Sequence, residues 1–274
     1  MKHVKKTITF KILASLSYLL LTHAGSAEQE HKLVWADEFN GNSLDYSKWG
    51  VEENALGGGN NELQAYLWNK KNLRVEGGNL VIEAHKDNPN MSGTTRPYSS
   101  GRIRSKLRGD WTYCRVDVRA KLPIGQGMWP AIWMLPTEEK YGGWASSGEI
   151  DIMELVGHEP STYHGTLHYG GGWPRNKHTG KKYKLASGTF ADDFHVFSIL
   201  WEKGKITWAI DGKPWQTQKN WFSEKAPFPA PFDQRFHLVL NLAVGGRWPG
   251  NPNAETKFPA KMLVDYVRVY QAKK

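Results

Sequence analysis

The stretch Gly148–Gly157, GEIDIMELVG, sets three carboxylates, Glu149, Asp151 and Glu154, among apolar and β-branched residues. Ile150, Ile152 and Val156 between two glycines predict a strand. Side chains alternate along a strand, so Glu149 and Asp151 share a face. Glu154 is five positions from Glu149, and a regular strand would turn it to the other face. One extra residue, a β-bulge near Met153, restores the phase. Three acids on one face raise each other's proton affinity, which suits chemistry needing one carboxylate ionised and one protonated. The alternative is a solvated strand face with Glu154 elsewhere.

Outward from this stretch the pattern stays β. Strands are expected at Lys32–Phe39, Leu73–His85, Ser100–Leu107, Tyr113–Leu122, Ala131–Leu135, Tyr163–Tyr169, His195–Glu202, Lys205–Ile210, Phe236–Ala243 and Lys261–Gln271. Glu76–Asn79, Glu202–Lys205 and Asp211-Gly212 read as turns. TYCRVDVRA (Thr112–Ala120) and LVDYVRVYQ (Leu263–Gln271) alternate apolar with polar, as strands with one wet face do. No long segment keeps a helical period. Short strands without intervening helices predict an all-β antiparallel sandwich of one domain.

Residues 1–27 read as a signal peptide, with residues 28–274 as the single domain of a secreted protein. Lys2, Lys5, Lys6 and Lys11 flank the apolar run Ile12–Leu21, and Gly25-Ser26-Ala27 are small enough for cleavage. The run is too short for a spanning helix, which needs ~20 residues. Those four lysines belong to a net charge of +9, so the remainder is only mildly basic. No dense Lys/Arg block supports nucleic-acid binding. Cys114 is the single cysteine, which excludes an intrachain disulfide and predicts a buried thiol. A monomer is expected, with no membrane partner.

Thirteen tryptophans exceed what a sandwich core needs. Trp35, Trp201 and Trp208 sit on apolar strands and are expected inside. Trp129 and Trp133 in GMWPAIWMLP, with Trp173 and Trp248 in Gly/Pro-rich loops, suit a sugar-stacking cleft.

The motifs WADEFNG, GGGNNELQAY, YSSGRIRS, PIGQGMWPAIWMLP, GEIDIMELVG, YHGTLHYGG, LNLAVGGRWPGNP and LVDYVRVYQ together resemble glycoside hydrolase family 16, in its laminarinase branch, over nearly all of Lys32–Gln271. The resemblance implies a β-jelly-roll with an open concave substrate cleft and retaining endo-hydrolysis of β-1,3-glucan. It makes Glu149 the nucleophile, Glu154 the general acid/base, and Asp151 the residue that hydrogen-bonds the nucleophile. No cofactor is implied for catalysis. Asn61, Glu62 and Arg102 resemble positions that bind sugar hydroxyls, and Trp129, Trp133, His168 and Trp248 resemble cleft-lining ones. Arg102 could equally form a structural ion pair, and His168 could be a core histidine. Glu38, the Gly78 carbonyl and Asp265 resemble a structural Ca²⁺ site, an oxygen donor set that suits this ion; Asp265 could equally be an ordinary exposed acid. Thr137–Ser147 and residues 219–236 are expected to shape opposite ends of the cleft. Mixed-linkage β-1,3-1,4-glucan stays open as a second substrate. The alternatives are a galactan hydrolase of agarase or carrageenase type and a non-catalytic β-glucan-binding protein.

Overall fold

The computed structural model describes residues 30–273. The expected signal peptide, residues 1–27, lies outside them. In chain order the strands begin with β1 (His31–Asp37), β2 (Gly50–Val51), β3 (Gln64–Tyr66), β4 (Leu73–Glu76), β5 (Asn79–Ala84), β6 (Asn90–Met91), β7 (Thr94–Thr95), β8 (Tyr98–Ser100), β9 (Arg102–Arg104) and β10 (Asp110–Trp111). They continue with β11 (Cys114–Lys121), β12 (Met128–Pro136), β13 (Glu149–Glu154), β14 (Thr162–Tyr169), β15 (Lys177–Lys184), β16 (His195–Glu202), β17 (Lys205–Ile210), β18 (Lys213–Gln218), β19 (Phe236–Val244) and β20 (Ala260–Ala272). Among the described residues the single helical element is a 3₁₀ turn at Gly57–Gly59.

Two eight-stranded sheets stack as a jelly-roll sandwich. One runs β18-β17-β16-β11-β20-β5-β4, with β1 also on β20. The other runs β15-β14-β13-β12-β19-β9-β2, with β10 on β19. All pairings within both sheets are antiparallel, as the alternation predicts. Val116, Val118 and Ala120 of β11 enter the core, leaving Arg115, Asp117 and Arg119 on the outer face. Tyr163, Phe190, Phe197, Trp201, Trp208, Phe232 and Phe236 are fully buried between the sheets. Cys114 is buried as expected, and burial pushes its thiol up.

Among strands longer than three residues, two went unread in the sequence. β15, KHTGKKYK, is an edge strand exposed along most of its length, so it carries no apolar period. β18 follows the Asp211-Gly212 turn on the edge of the other sheet. Expected Ser100–Leu107 shortens to β9, because Ser105 turns the chain, accepting backbone hydrogen bonds from Arg108 and Gly109.

Candidate active site

The sheet that runs from β15 to β2, the inner of the two, presents one face by alternation. On β12, Met128, Ile132 and Met134 join the core, which sends Trp129, Ala131 and Trp133 to the opposite face, where the cleft is expected. Register aligns Ala131 with Asn241 of β19, and Asn241 with Arg102 of β9. The three acids lie on β13 beside this row.

β13 carries the expected bulge, one residue earlier than Met153. Against β12, Trp133 pairs with Asp151 and Ile132 with Met153, so Ile152 is the extra residue. Against β14, Asp151 pairs with Thr166 and Glu154 with His164. Ile152 and Met153 therefore both enter the core, and Glu154 returns to the face of Glu149 and Asp151. The opposite sheet holds this irregular backbone. Trp208 Nε1 on β17 donates to the Asp151 carbonyl at 2.8 Å. Its indole lies on Gly165 of β14, the residue facing the bulge, where a Cβ would sit 2.5 Å from Trp208 Cδ1. Gln216 Nε2 on β18 donates to the Gly165 carbonyl at 3.0 Å.

The carboxylates have few partners. Trp144 Nε1 donates to Glu149 Oε2 at 2.9 Å, and Trp129 Nε1 donates to Glu154 Oε1 at 3.1 Å. His168 Nε2 lies 3.3 Å from Asp151 Oδ2 and 3.7 Å from Glu149 Oε1, so His168 faces the cleft and not the core. Among the described residues no lysine or arginine pairs with any of the three. Burial, then repulsion from Asp151, pushes both Glu149 and Glu154 up to about 8. Burial also lifts Asp151 well above the usual carboxylate range. Three such groups share their protons as a unit, with apparent values belonging to the trio. The buried Asp151 Oδ2 has no hydrogen-bond partner among the described residues and lies toward His168. Glu149, Asp151 and His168 also offer ligand atoms within 4.8 Å of one another, a spacing a cation could use.

The other expected site residues divide by burial. Trp129 packs edge-on against Trp248 at 5.3 Å, and Trp248 is 39% exposed. Trp133 Nε1 donates to Asn241 Oδ1 at 2.8 Å, and Asn241 Nδ2 donates to Tyr66 Oη at 3.1 Å. Arg102 makes the ion pair offered as its alternative, Nε to Glu52 Oε2 at 2.9 Å, while its guanidinium lies 4.8 Å from the Trp133 ring centre. Glu62 is buried and accepts from Gln64 Nε2 at 2.7 Å, so it supports the floor. Asn61 is exposed beside it, with φ of 59°. The sequence did not single out Trp144 or Asn241; Trp144 sits in the flagged Thr137–Ser147 loop. That loop and residues 219–236 rise on one side, not opposite ends. Gln234 Nε2 donates to the Ser147 carbonyl, and Tyr141 Oη donates to Asp233.

Glu38, Gly78 and Asp265 converge by register. β1 and β5 both pair with β20, through Asp37↔Val267 and Leu80↔Val264, leaving Asp265 at the gap between them. The oxygen donors suit a hard cation, but both carboxylates hold arginines. Glu38 takes Arg268 at 2.8 and 2.7 Å, and Asp265 takes Arg119 at 2.6 Å.

The family model described as glycosyl hydrolases family 16 matches residues 60–268. The chain is 47% identical to glucan endo-1,3-beta-glucosidase A1 of Niallia circulans, over 87% of this chain and 38% of that longer protein. It is 38% identical to a beta-glucanase of Rhodothermus marinus, over 99% and 96% of the two chains. In structure it is similar to the catalytic domain of an endo-1,3-beta-glucanase (laminarinase) from Thermotoga petrophila RKU-1, with TM-score 0.80, 36% identity, and 90% and 100% coverage.

Proposed function

The chain belongs to glycosyl hydrolase family 16, and from that membership we propose a retaining endo-β-1,3-glucanase that cuts laminarin-type polymers internally. The observation that carries this reading is the bulge, which gathers Glu149, Asp151 and Glu154 on one cleft face without a cationic Lys or Arg partner. Glu149 acts as nucleophile. The Trp144 donor fixes one of its oxygens, leaving the other to attack the anomeric carbon. The glycosidic C–O bond breaks as Glu154 gives its proton to the leaving oxygen. Glu154 then takes a proton from water, which attacks the same carbon and releases Glu149 from the glycosyl ester. The productive state has Glu149 ionised and Glu154 protonated. A cleft with fewer than three charges at neutral pH supplies it. Asp151, lying between the two in sequence, repels charge on either glutamate and so tunes both.

Trp129, Trp133 and Trp248 stack on sugar rings, and Arg102, Asn61 and His168 orient hydroxyls, while Glu62 braces the floor. The protein is secreted after loss of residues 1–27 and acts as a single-domain monomer. Glu38, the Gly78 carbonyl and Asp265 accept Ca²⁺ when Arg268 and Arg119 release the carboxylates; the ion would stabilise and take no part in the reaction. Chelation that leaves the melting temperature unchanged argues against that site.

Incubation with laminarin tests the activity. Rapid formation of mid-length oligosaccharides is expected, and release from barley mixed-linkage glucan would set its breadth. Product from agarose or carrageenan and none from laminarin would move the substrate to a galactan. Retention of laminarin without any product would leave a binding protein.

A further inference from the structure

Trp68 and Tyr46 form an aromatic pair that the site above does not use. Trp68 is 59% and Tyr46 50% exposed, a costly placement for two large rings. Both are nevertheless fixed. Trp68 Nε1 donates to Tyr46 Oη at 3.0 Å, and the rings meet edge to face at 5.6 Å. The Trp68 backbone N–H donates to Glu53 Oε1 at 3.0 Å, and Arg108 Nε donates to the Tyr46 carbonyl at 3.0 Å. The polar edge of the indole is thus satisfied internally while more than half of the residue stays open to solvent.

The pair continues the cleft. β2 is the outermost strand of the cleft sheet, four strands from β13 in the order β13-β12-β19-β9-β2. At ~4.8 Å per strand that is roughly 20 Å from the carboxylates. Glu52, just after β2, accepts from Arg102; its neighbour Glu53 accepts from Trp68. Gln64, Tyr66 and Trp68 are alternate residues of one extended segment, which Leu67 prolongs by donating to the Ser100 carbonyl. Gln64 and Tyr66 brace the cleft floor through Glu62 and Asn241, and Trp68 carries the same line past the sheet edge.

We propose that Trp68 and Tyr46 form a distal binding platform for the same polysaccharide, stacking on a glucan segment several sugars beyond Arg102. The platform rests on the β-glucan reading above for its ligand. Sugars offer apolar C–H faces, and an aromatic ring held by its own hydrogen bonds loses little freedom on binding them. A polymer reaches both the carboxylates and the platform, whereas a tetrasaccharide bound across the carboxylates does not.

The test compares wild type, Trp68→Ala and Tyr46→Phe on laminarin and on a β-1,3-linked tetrasaccharide. Affinity electrophoresis in laminarin gels runs alongside, and melting temperatures check folding. Trp68→Ala is expected to raise KM for laminarin about five- to tenfold, the size of one lost aromatic contact. Its kcat, and its rate on the tetrasaccharide, should match wild type. Tyr46→Phe, which frees the indole N–H, should fall between. Equal KM values for laminarin overturn the platform while the hydrolase reading stands. Equal losses on polymer and tetrasaccharide also overturn it, since they mark a structural role. If wild type cleaves neither substrate, the hydrolase reading fails. Gel retardation then decides the platform: retardation lost in Trp68→Ala upholds it, and unretarded wild type overturns it.

Discussion

Both sheets carry acids on their outward faces, and only one set has counter-charges. On the outer sheet Asp117 takes both Arg115 nitrogens at 3.0 and 2.8 Å, Asp265 takes Arg119, and Glu38 takes Arg268. On the cleft sheet Asp151 is as buried as Asp117, 2% against 5% exposed, and no arginine reaches it. Arg268 holds Glu38 below the usual carboxylate range, whereas burial and mutual repulsion hold Glu149 and Glu154 far above it. Depth separates part of the two groups, since Glu38 and Asp265 are more than a third exposed, but it does not separate Asp117 from Asp151. At that matched depth the guanidinium is the difference, and burial without one makes the cleft acids proton donors and acceptors.

Removing the unpaired acids should have the largest effect. Glu154→Ala should lower kcat on laminarin about 10²–10⁴-fold, the range for one acid–base group, and Glu149→Ala, which removes the nucleophile, at least as much. Azide should rescue Glu149→Ala with an inverted glycosyl azide. Asp117→Asn, on the paired face, should leave kcat within about twofold of wild type. Equal losses on both faces would erase the contrast.

Supplying the missing charge sharpens it. Thr166 pairs with Asp151 across β13 and β14, so Thr166→Lys places an ammonium beside the trio. Its alkaline limb of activity should move to lower pH, as the cation lowers the carboxyl proton affinities. Thr166→Met, of similar length and uncharged, should keep the wild-type limb. A common shift would mean sterics and not charge.

The bulge itself can be loosened from the far sheet. Trp208→Phe keeps a smaller aromatic ring at this buried site and removes the donor to the Asp151 carbonyl. An unsatisfied buried carbonyl costs about 1–3 kcal/mol, so the melting temperature should drop. Displaced carboxylates should also lower kcat about tenfold with KM little changed. A drop in stability alone would confine Trp208 to packing.

The smallest effect is on stability against pH. Glu149 and Glu154 bind protons up to about 8 in the fold, against ~4.3 unfolded. The folded state therefore holds more protons between these values, and its stability falls as pH rises through that window. Glu154→Gln should melt about 2–4 °C above wild type at alkaline pH, the shift of about 1 kcal/mol in a domain this size. The gain should vanish below about pH 4. Glu38 runs the other way: its pairing stabilises above the unfolded value and is lost as pH falls.

The cleft acids were legible because the whole signal is local. Spacing, apolar neighbours and the extra residue all lie within Gly148–Gly157. The partners that decide each acid's role are distant: Arg119 is 146 positions from Asp265, and Arg268 is 230 from Glu38. A short motif around Glu38 or Asp265 shows the carboxylates and hides the arginines paired with them. Loop placement failed for the same reason, since the Gln234–Ser147 contact spans 87 positions. β15 was missed because its exposed lysines carry no apolar period.

Those lysines bear on how the molecule coexists with its own copies. A sheet with an open groove must end somewhere, and each end exposes unpaired backbone to a neighbouring chain. β2 ends one side after two residues, and Lys177, Lys181, Lys182 and Lys184 line the other. Shortness and repulsion are separate deterrents to edge-to-edge pairing. With both in place, the groove can stay open to a long polymer without inviting sheet-to-sheet aggregation.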